Sequence, residues 1–295
     1  MYLTRQAAAD GSAQPGGTPS AGRTPGPGRG RGPSAGLLVT EPVRGLADVA
    51  ALLAGTPWLA RAPRGDGHGV LVWPGLLASD RSTAALRRFL RHLGYDVSGW
   101  NLGRNRGPTE EVLSRLPQAL ISCAQRTGRP VSLVGWSLGG IYAREMARQY
   151  PRLVRQVITL GSPYAQTHAR QSHAEVPYAQ LRRWHAPAAQ VPGRDQIARP
   201  IPVPSTSVYS RWDGIVSWQA CIEPETDLHR NVEVRCSHLG FGVDPATLWL
   251  VADRLAAPAG QRIPFRPPAW LRPLYPRSPY PRVPYPRASH PGRNR

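Results

Sequence analysis

Ser137, Asp213 and His238 stand in the chain order nucleophile, acid, base, and each follows an apolar run that reads as a strand. A serine hydroxyl at its free pKa is a poor nucleophile; it needs a base to take its proton and a third group to hold that base. Ser137 lies in Gly135-Trp136-Ser137-Leu138-Gly139, a G-x-S-x-G pentapeptide inside "VSLVGWSLGGIYAREMARQYP". That pattern has a steric reason. The serine sits on a tight turn where bulk two residues to either side would clash with strand or helix, so glycine occupies both places. The turn lifts the hydroxyl clear of the sheet. The backbone N–H of Leu138 then opens a helix whose N-terminal dipole favours developing negative charge. Five residues alone also fit a structural turn serine. A predicted strand before and a helix after favour the nucleophile.

The acid and base candidates are Asp213 in "YSRWDGIV" and His238 in "VEVRCSHLGF", each just past a β-rich run. Several rivals share their chemistry. Asp227 lies in the loop before the last strand, while Asp195, His168, His173 and His185 belong to an irregular stretch. His229 precedes the final strand rather than following it. His68 precedes the first long strand, which places it at the opposite end of the sheet. A second oxyanion donor is expected from the loop after Val70–Trp73, where "WPGLL" sets Pro74-Gly75 before the N–H of Leu76. Leu76 and Leu138 would then share a developing oxyanion. A Pro-Gly that merely ends a strand fits this segment alone nearly as well.

Stepping through the elements, apolar runs of strand length alternate with amphipathic helices from "GVLVWPGLL" to "PATLWLVADRLAAP". Alternation of this kind predicts an α/β fold: a mostly parallel sheet with helices on both faces and its ligand crevice at the carboxyl ends of the strands. The pattern lapses over residues 163–200, an insertion expected to cover the crevice as a cap or lid. The domain is drawn over 37–258. A helix over Val43–Leu59, with Leu46, Val49, Leu52 and Leu53 at helical spacing, is expected to pack on its edge. Residues 1–36 are rich in Gly, Pro and Arg, and 259–295 in Pro, Arg and Tyr with a repeated YPRxP unit. Both are expected to be disordered tails without a core.

The net charge is +19, and all 37 basic residues are arginine. The absence of lysine reads as codon bias in a GC-rich genome rather than selection for an acidic partner, and no specific nucleic acid is predicted. Residues 259–295 hold 8 arginines and no acid, which allows weak contact with anionic surfaces. Of three cysteines, Cys221 and Cys236 flank the last loop before a strand and could pair, which the sequence leaves open, and Cys123 reads as buried filler in a helix. No metal-ligand spacing occurs, so neither metal nor cofactor is expected. The N-terminus shows no apolar secretory core, and no run approaches about 18 apolar residues, which leads to a cytoplasmic expectation.

Together these residues resemble the α/β-hydrolase superfamily, and within it the bacterial lipase- and esterase-like members, over about residues 66–258. "VLVWPGLLASD" looks like the oxyanion loop, where many members have His-Gly in place of Pro-Gly. "VGWSLGGIYAREMA" is similar to the nucleophile elbow, "VITLGSP" to the segment that follows it in many lipases, and "DGIV" and "SHLGF" to the acid and histidine segments. The resemblance implies hydrolysis of carboxylic esters, lipid esters included, through an acyl-enzyme on Ser137. The same machinery serves acyltransferases, thioesterases, amidases and cofactor-free haloperoxidases. A non-catalytic scaffold that binds through its cationic tail is the alternative of a different class; the complete Ser–Asp–His set argues against it. The expected partner is a small-molecule or lipid ester.

Overall fold

The computed structural model describes residues 30–259 and 264–276. Six strands, β1 (Gly69–Trp73), β2 (Asp96–Ser98), β3 (Val131–Trp136), β4 (Val154–Leu160), β5 (Ser205–Ser210) and β6 (His229–Val234), form one sheet in the order β2-β1-β3-β4-β5-β6. Every neighbouring pair is parallel. The alternation of strands and helices reads this correctly, because parallel neighbours need a crossover between them.

Parallel strands covered on both faces carry apolar side chains at successive positions. In β1, Val70 and Val72 join a core with Leu86 and Leu90 of α2 (Ala84–His92) and Leu248, Val251 and Leu255 of α7 (Pro245–Ala256). Leu71 and Trp73 point the other way, onto Leu116 and Leu120 of α3 (Glu110–Thr127) and Ala143 and Met146 of α4 (Leu138–Gln149). The period-two alternation of a strand thus feeds two cores. Helix ends follow local chemistry: Thr109 and Asp244 accept from the backbone N–H groups of Val112 and Thr247, capping α3 and α7. Gly128 ends α3 in the left-handed conformation at φ 64°.

The first helix differs from expectation. α1 runs Ala35–Leu59, beginning eight residues before Val43 and inside the segment assigned to a tail, with Ser34 as its cap. Of the four apolar residues expected to face the core, only Leu52 packs against it, whereas Leu46, Val49 and Leu53 are exposed. The helix instead approaches through small residues: a side chain on Gly45 would meet Leu239, and one on Gly55 would meet Pro245.

The C-terminal boundary also shifts. Within 264–276, Leu271 is buried in the core around α7, Trp270 meets Trp249 edge to face at 5.2 Å, and the Tyr275 hydroxyl donates to the Ala246 carbonyl at 2.7 Å. Three aromatic residues in this short stretch, Phe265, Trp270 and Tyr275, the second of them against Trp249 of α7, supply burial that proline content alone hides. The YPRxP repeat beyond Pro276, like residues 1–29, lies outside the described residues. Cys221 and Cys236, whose pairing the sequence leaves open, are free and buried; Cys123 is buried on α3 as expected.

Candidate active site

At the carboxyl end of β3 the chain turns into α4 through Ser137, which has φ 53° and ψ −121°. Positive φ is costly for a residue with a side chain, of order 1–3 kcal/mol, so the surrounding structure must impose it. The two glycines make the imposition possible. A Cβ on Gly139 would stand 2.4 Å from the Trp73 carbonyl oxygen, and one on Gly135 would stand 2.3 Å from Gly140 Cα. The Ser137 N–H donates to the Leu160 carbonyl at 2.8 Å, fixing the turn to β4.

Asp213 follows β5 and His238 follows β6; both are buried, and the Nδ1–H of His238 donates to Asp213 Oδ2 at 2.6 Å. The carboxylate can only accept, which sets this tautomer. Its other oxygen accepts from the Ile215 and Val216 N–H groups at 2.8 and 2.7 Å. Burial lowers the His238 pKa, but the Asp213 charge, its hydrogen bond and the Glu41 charge outweigh burial, so the net shift is upward. No hydrogen bond joins Ser137 to His238 among the described residues; the imidazole instead lies 6.3 Å, centre to centre, from the ring of Trp136, next to Ser137.

Leu138 is the first residue of α4, so its N–H has no acceptor within the helix. The Leu76 N–H also lacks an acceptor among the described residues. Both leucines line one cavity of about 380 Å³ together with Ser137. The loop that carries Leu76 is pinned by a residue that sequence reasoning misses. Buried Asn105 donates through Nδ2 to the Pro74 carbonyl at 3.0 Å and through its N–H to Ala78 at 2.8 Å, and its carbonyl accepts from Leu77 N–H at 2.7 Å. An asparagine in a loop gives no sequence signal for this role.

The cavity wall is largely apolar, with Leu113, Leu116, Ile141 and Met146 on the side of α3 and α4. Its other wall comes from the stretch between β4 and β5, which contains the short helices α5 (Glu175–Gln180) and α6 (Arg194–Ala198). The rival residues sit elsewhere. Asp195, His168 and His173 are exposed, while His185 is half-buried and meets the Arg106 carbonyl. His229 begins β6 and meets the Ile201 carbonyl, and His68 lies before β1 as expected. Glu41 and Asp48 of α1 also reach the acid and histidine loops; a helix drawn from Val43 leaves Glu41 out of the element.

No protein-family model matches the chain, and no curated protein matches it. Among solved structures, lipase B of Aspergillus fumigatus superposes at a TM-score of 0.50 with 16% identity, over 68% of this chain and 55% of that one. A structure of the metagenome-derived lipolytic enzymes LipS and LipT gives 0.49 at 14% identity over 65% and 93%, and a thioesterase domain from the curacin biosynthetic pathway gives 0.42 at 16% over 65% and 92%. The chain therefore spans little more than half the length of the fungal lipase it resembles. The sheet order, the turn at Ser137 and this likeness define the class: the chain has the α/β-hydrolase fold. Among the described residues no helix is long and apolar enough to cross a membrane.

Proposed function

We propose that the protein is a serine hydrolase of carboxylic esters, with Ser137 as nucleophile, His238 as base and Asp213 as the group that orients it. The observation that carries this reading is the pairing of a buried His238–Asp213 hydrogen bond with a serine held at positive φ at the wall of an apolar cavity. A surface turn serine has no reason to bear that strain.

Ser137 Oγ attacks the ester carbonyl carbon while His238 Nε2 takes its proton. The carbonyl π bond becomes an oxyanion, which the Leu76 and Leu138 N–H groups receive. The imidazolium, stabilised by Asp213, then gives the proton to the departing alkoxide, leaving an acyl-serine. Water attacks that ester, His238 again accepts the proton, and the carboxylic acid leaves with Ser137 regenerated. The Ser137–His238 hydrogen bond forms in the substrate complex; in ligand-free sites such bonds are commonly long and tighten on binding.

The stretch over 163–200 acts as a lid and supplies one wall of the acyl pocket. At about 380 Å³ the cavity is at the small end for ligand sites, which fits an acyl chain of moderate length rather than a full triglyceride. Labelling by a fluorophosphonate probe tests the reading. The native protein should label and Ser137→Ala should not; labelling that survives the substitution would sink it. With p-nitrophenyl esters, each added methylene should raise kcat/KM about fourfold, at about 0.8 kcal/mol each, until the pocket is full.

A further inference from the structure

Helix α1 is turned inside out. Its three charged residues, Glu41, Arg44 and Asp48, all face the protein, and its exposed positions carry no charge. Val39, Val43, Leu46 and Leu53 are 77, 70, 71 and 74% exposed, joined by Leu38, Val49 and, in the last turn, Trp58. A charge-free apolar face of this size on a 25-residue helix, about 37 Å long at 1.5 Å per residue, is unusual for a surface in water.

The breadth of the face tells what covers it. At about 100° per residue, the exposed large aliphatic residues from Leu38 round to Val43 fan over about 140° of the helix. A single partner helix needs a narrower seam than this. Exposed Arg31 and Arg61 stand just beyond its two ends, and the chain as a whole carries +19. The apolar surface continues onto exposed Leu239, which abuts Gly45, and onto exposed Trp212, whose carbonyl accepts from Arg44. These two residues adjoin His238 and Asp213. We propose that the outer face of α1 lies in the plane of an anionic lipid surface, with arginines at both ends meeting the head groups and the histidine and acid loops beside it.

The test uses the full chain and vesicles of phosphatidylcholine with and without phosphatidylglycerol. The protein should co-sediment with the anionic vesicles, with blue-shifted tryptophan emission. Leu46→Gln with Leu53→Gln should weaken binding about tenfold for each leucine, at unchanged melting temperature. Absence of binding overturns the proposal. Binding that the double variant leaves intact overturns it too, because the arginine-rich segments alone would then account for it. A dimer in solution that the same variant dissociates, without lipid binding, assigns the face to a second copy instead.

The inner face of the helix carries an independent inference, which rests on the ester-hydrolase reading. The Glu41 carboxylate is buried and accepts from Gly214 N–H on one oxygen and Leu239 N–H on the other, each at 2.9 Å. Those residues directly follow Asp213 and His238. Seven positions on, on the same face, Asp48 accepts from the N–H and hydroxyl of Ser237 at 3.0 and 2.6 Å. The geometry points to Glu41 and Asp48 as positioning residues that clasp the acid and histidine loops to one rigid helix. The charges facing His238 are Asp213 and Glu41; Arg44 stands behind Glu41, and Asp48 behind Ser237.

Glu41→Gln keeps one acceptor, sets an NH₂ against the other N–H, and removes a charge. Expected is a fall in kcat on the order of ten- to a hundredfold with KM unchanged. The acidic limb of the pH profile should move to lower pH, because the imidazolium loses an anion. Asp48→Asn should lower kcat without moving that limb. An equal loss at every pH for Glu41→Gln, or full activity in both variants, overturns the clasp. If Glu41→Gln fails to fold, undiminished kcat in Asp48→Asn still overturns it. Failure of the native protein to label with fluorophosphonate would instead overturn the ester-hydrolase reading itself.

Discussion

Among the described residues, two sets of serine, histidine and aspartate stand at opposite ends of one sheet. At the carboxyl end are Ser137, His238 and Asp213. At the amino end, Asp66 Oδ1 accepts from His68 Nδ1 at 2.5 Å, and His68 Nε2 accepts from the Ser132 hydroxyl at 2.8 Å. By hydrogen bonding alone the second set is the more complete, since Ser132 donates to its histidine and Ser137 does not. The contrast lies in everything around the two sets. Ser132 is a fully buried strand residue within β3 with no positive φ, and it lines neither the cavity at Ser137 nor the one beside Gly128 and Arg129. Ser137 carries the strained turn, the free N–H groups and the pocket wall. On the proposed reading, access and backbone N–H groups free to receive an oxyanion, rather than connectivity between the side chains, separate a reactive serine from a structural one.

The comparison breaks first on activity. Ser137→Ala should lower ester hydrolysis by about 10⁴ or more, the range in which removing a triad nucleophile falls. Ser132→Ala should leave kcat/KM within about threefold, since nothing it touches borders the cavity. If Ser132→Ala silences the protein while remaining folded, the roles assigned to the two ends are reversed.

Stability should show the opposite ranking. Ser132→Ala strips a buried partner from His68 and should cost about 1–3 kcal/mol in urea unfolding. Ser137→Gly should instead stabilise by about 1 kcal/mol, because glycine accepts φ 53° without the penalty a side chain incurs. A destabilised Ser137→Gly would mean that the turn is not strained.

The two ends also differ in how far the sequence reveals them. The elbow, Asp213 and His238 are legible because short-range rules bind them: glycine spacing, strand ends and chain order. The parallel sheet follows from the alternation of strands and helices. What escapes are contacts between residues far apart in sequence. Ser132 reads as an ordinary strand residue and His68 as a loop residue 64 positions away, so their hydrogen bond has no local signature. Asn105 pins the loop of Leu76 with two backbone hydrogen bonds, which any residue could make, and one from its side-chain amide to a carbonyl, which carries no sequence pattern. α1 misleads for a physical reason: apolar spacing shows that a helix has two faces but not which one the protein takes, and Gly45, Gly55 and Glu41 outbid the leucines for the inner side. The packed segment around Leu271 escapes because its prolines and arginines resemble the tail that follows.

The smallest effect expected is a difference in sign. Burial and the positive charges of Arg155 and Arg129 lower the His68 pKa, against the pull of Asp66. Its folded form is therefore neutral, and the stability it contributes is present above the unfolded histidine value, about 6.5, and lost as pH falls below that. His238 is shifted upward, so its contribution is present below about 6.5 and lost as pH rises through the folded pKa. Urea midpoints measured from about pH 5 to pH 8 should then separate the two ends. His68→Gln should flatten the loss of stability on the acidic side, and His238→Gln the loss on the alkaline side. Asp66, held below the usual carboxylate range by hydrogen bonds from His68 and Arg155 that overcome its partial burial, titrates below this window and leaves it clean. Equal slopes for both variants would show that the two imidazoles share one electrostatic environment, and the contrast between the two ends of the sheet would then lose its electrostatic half.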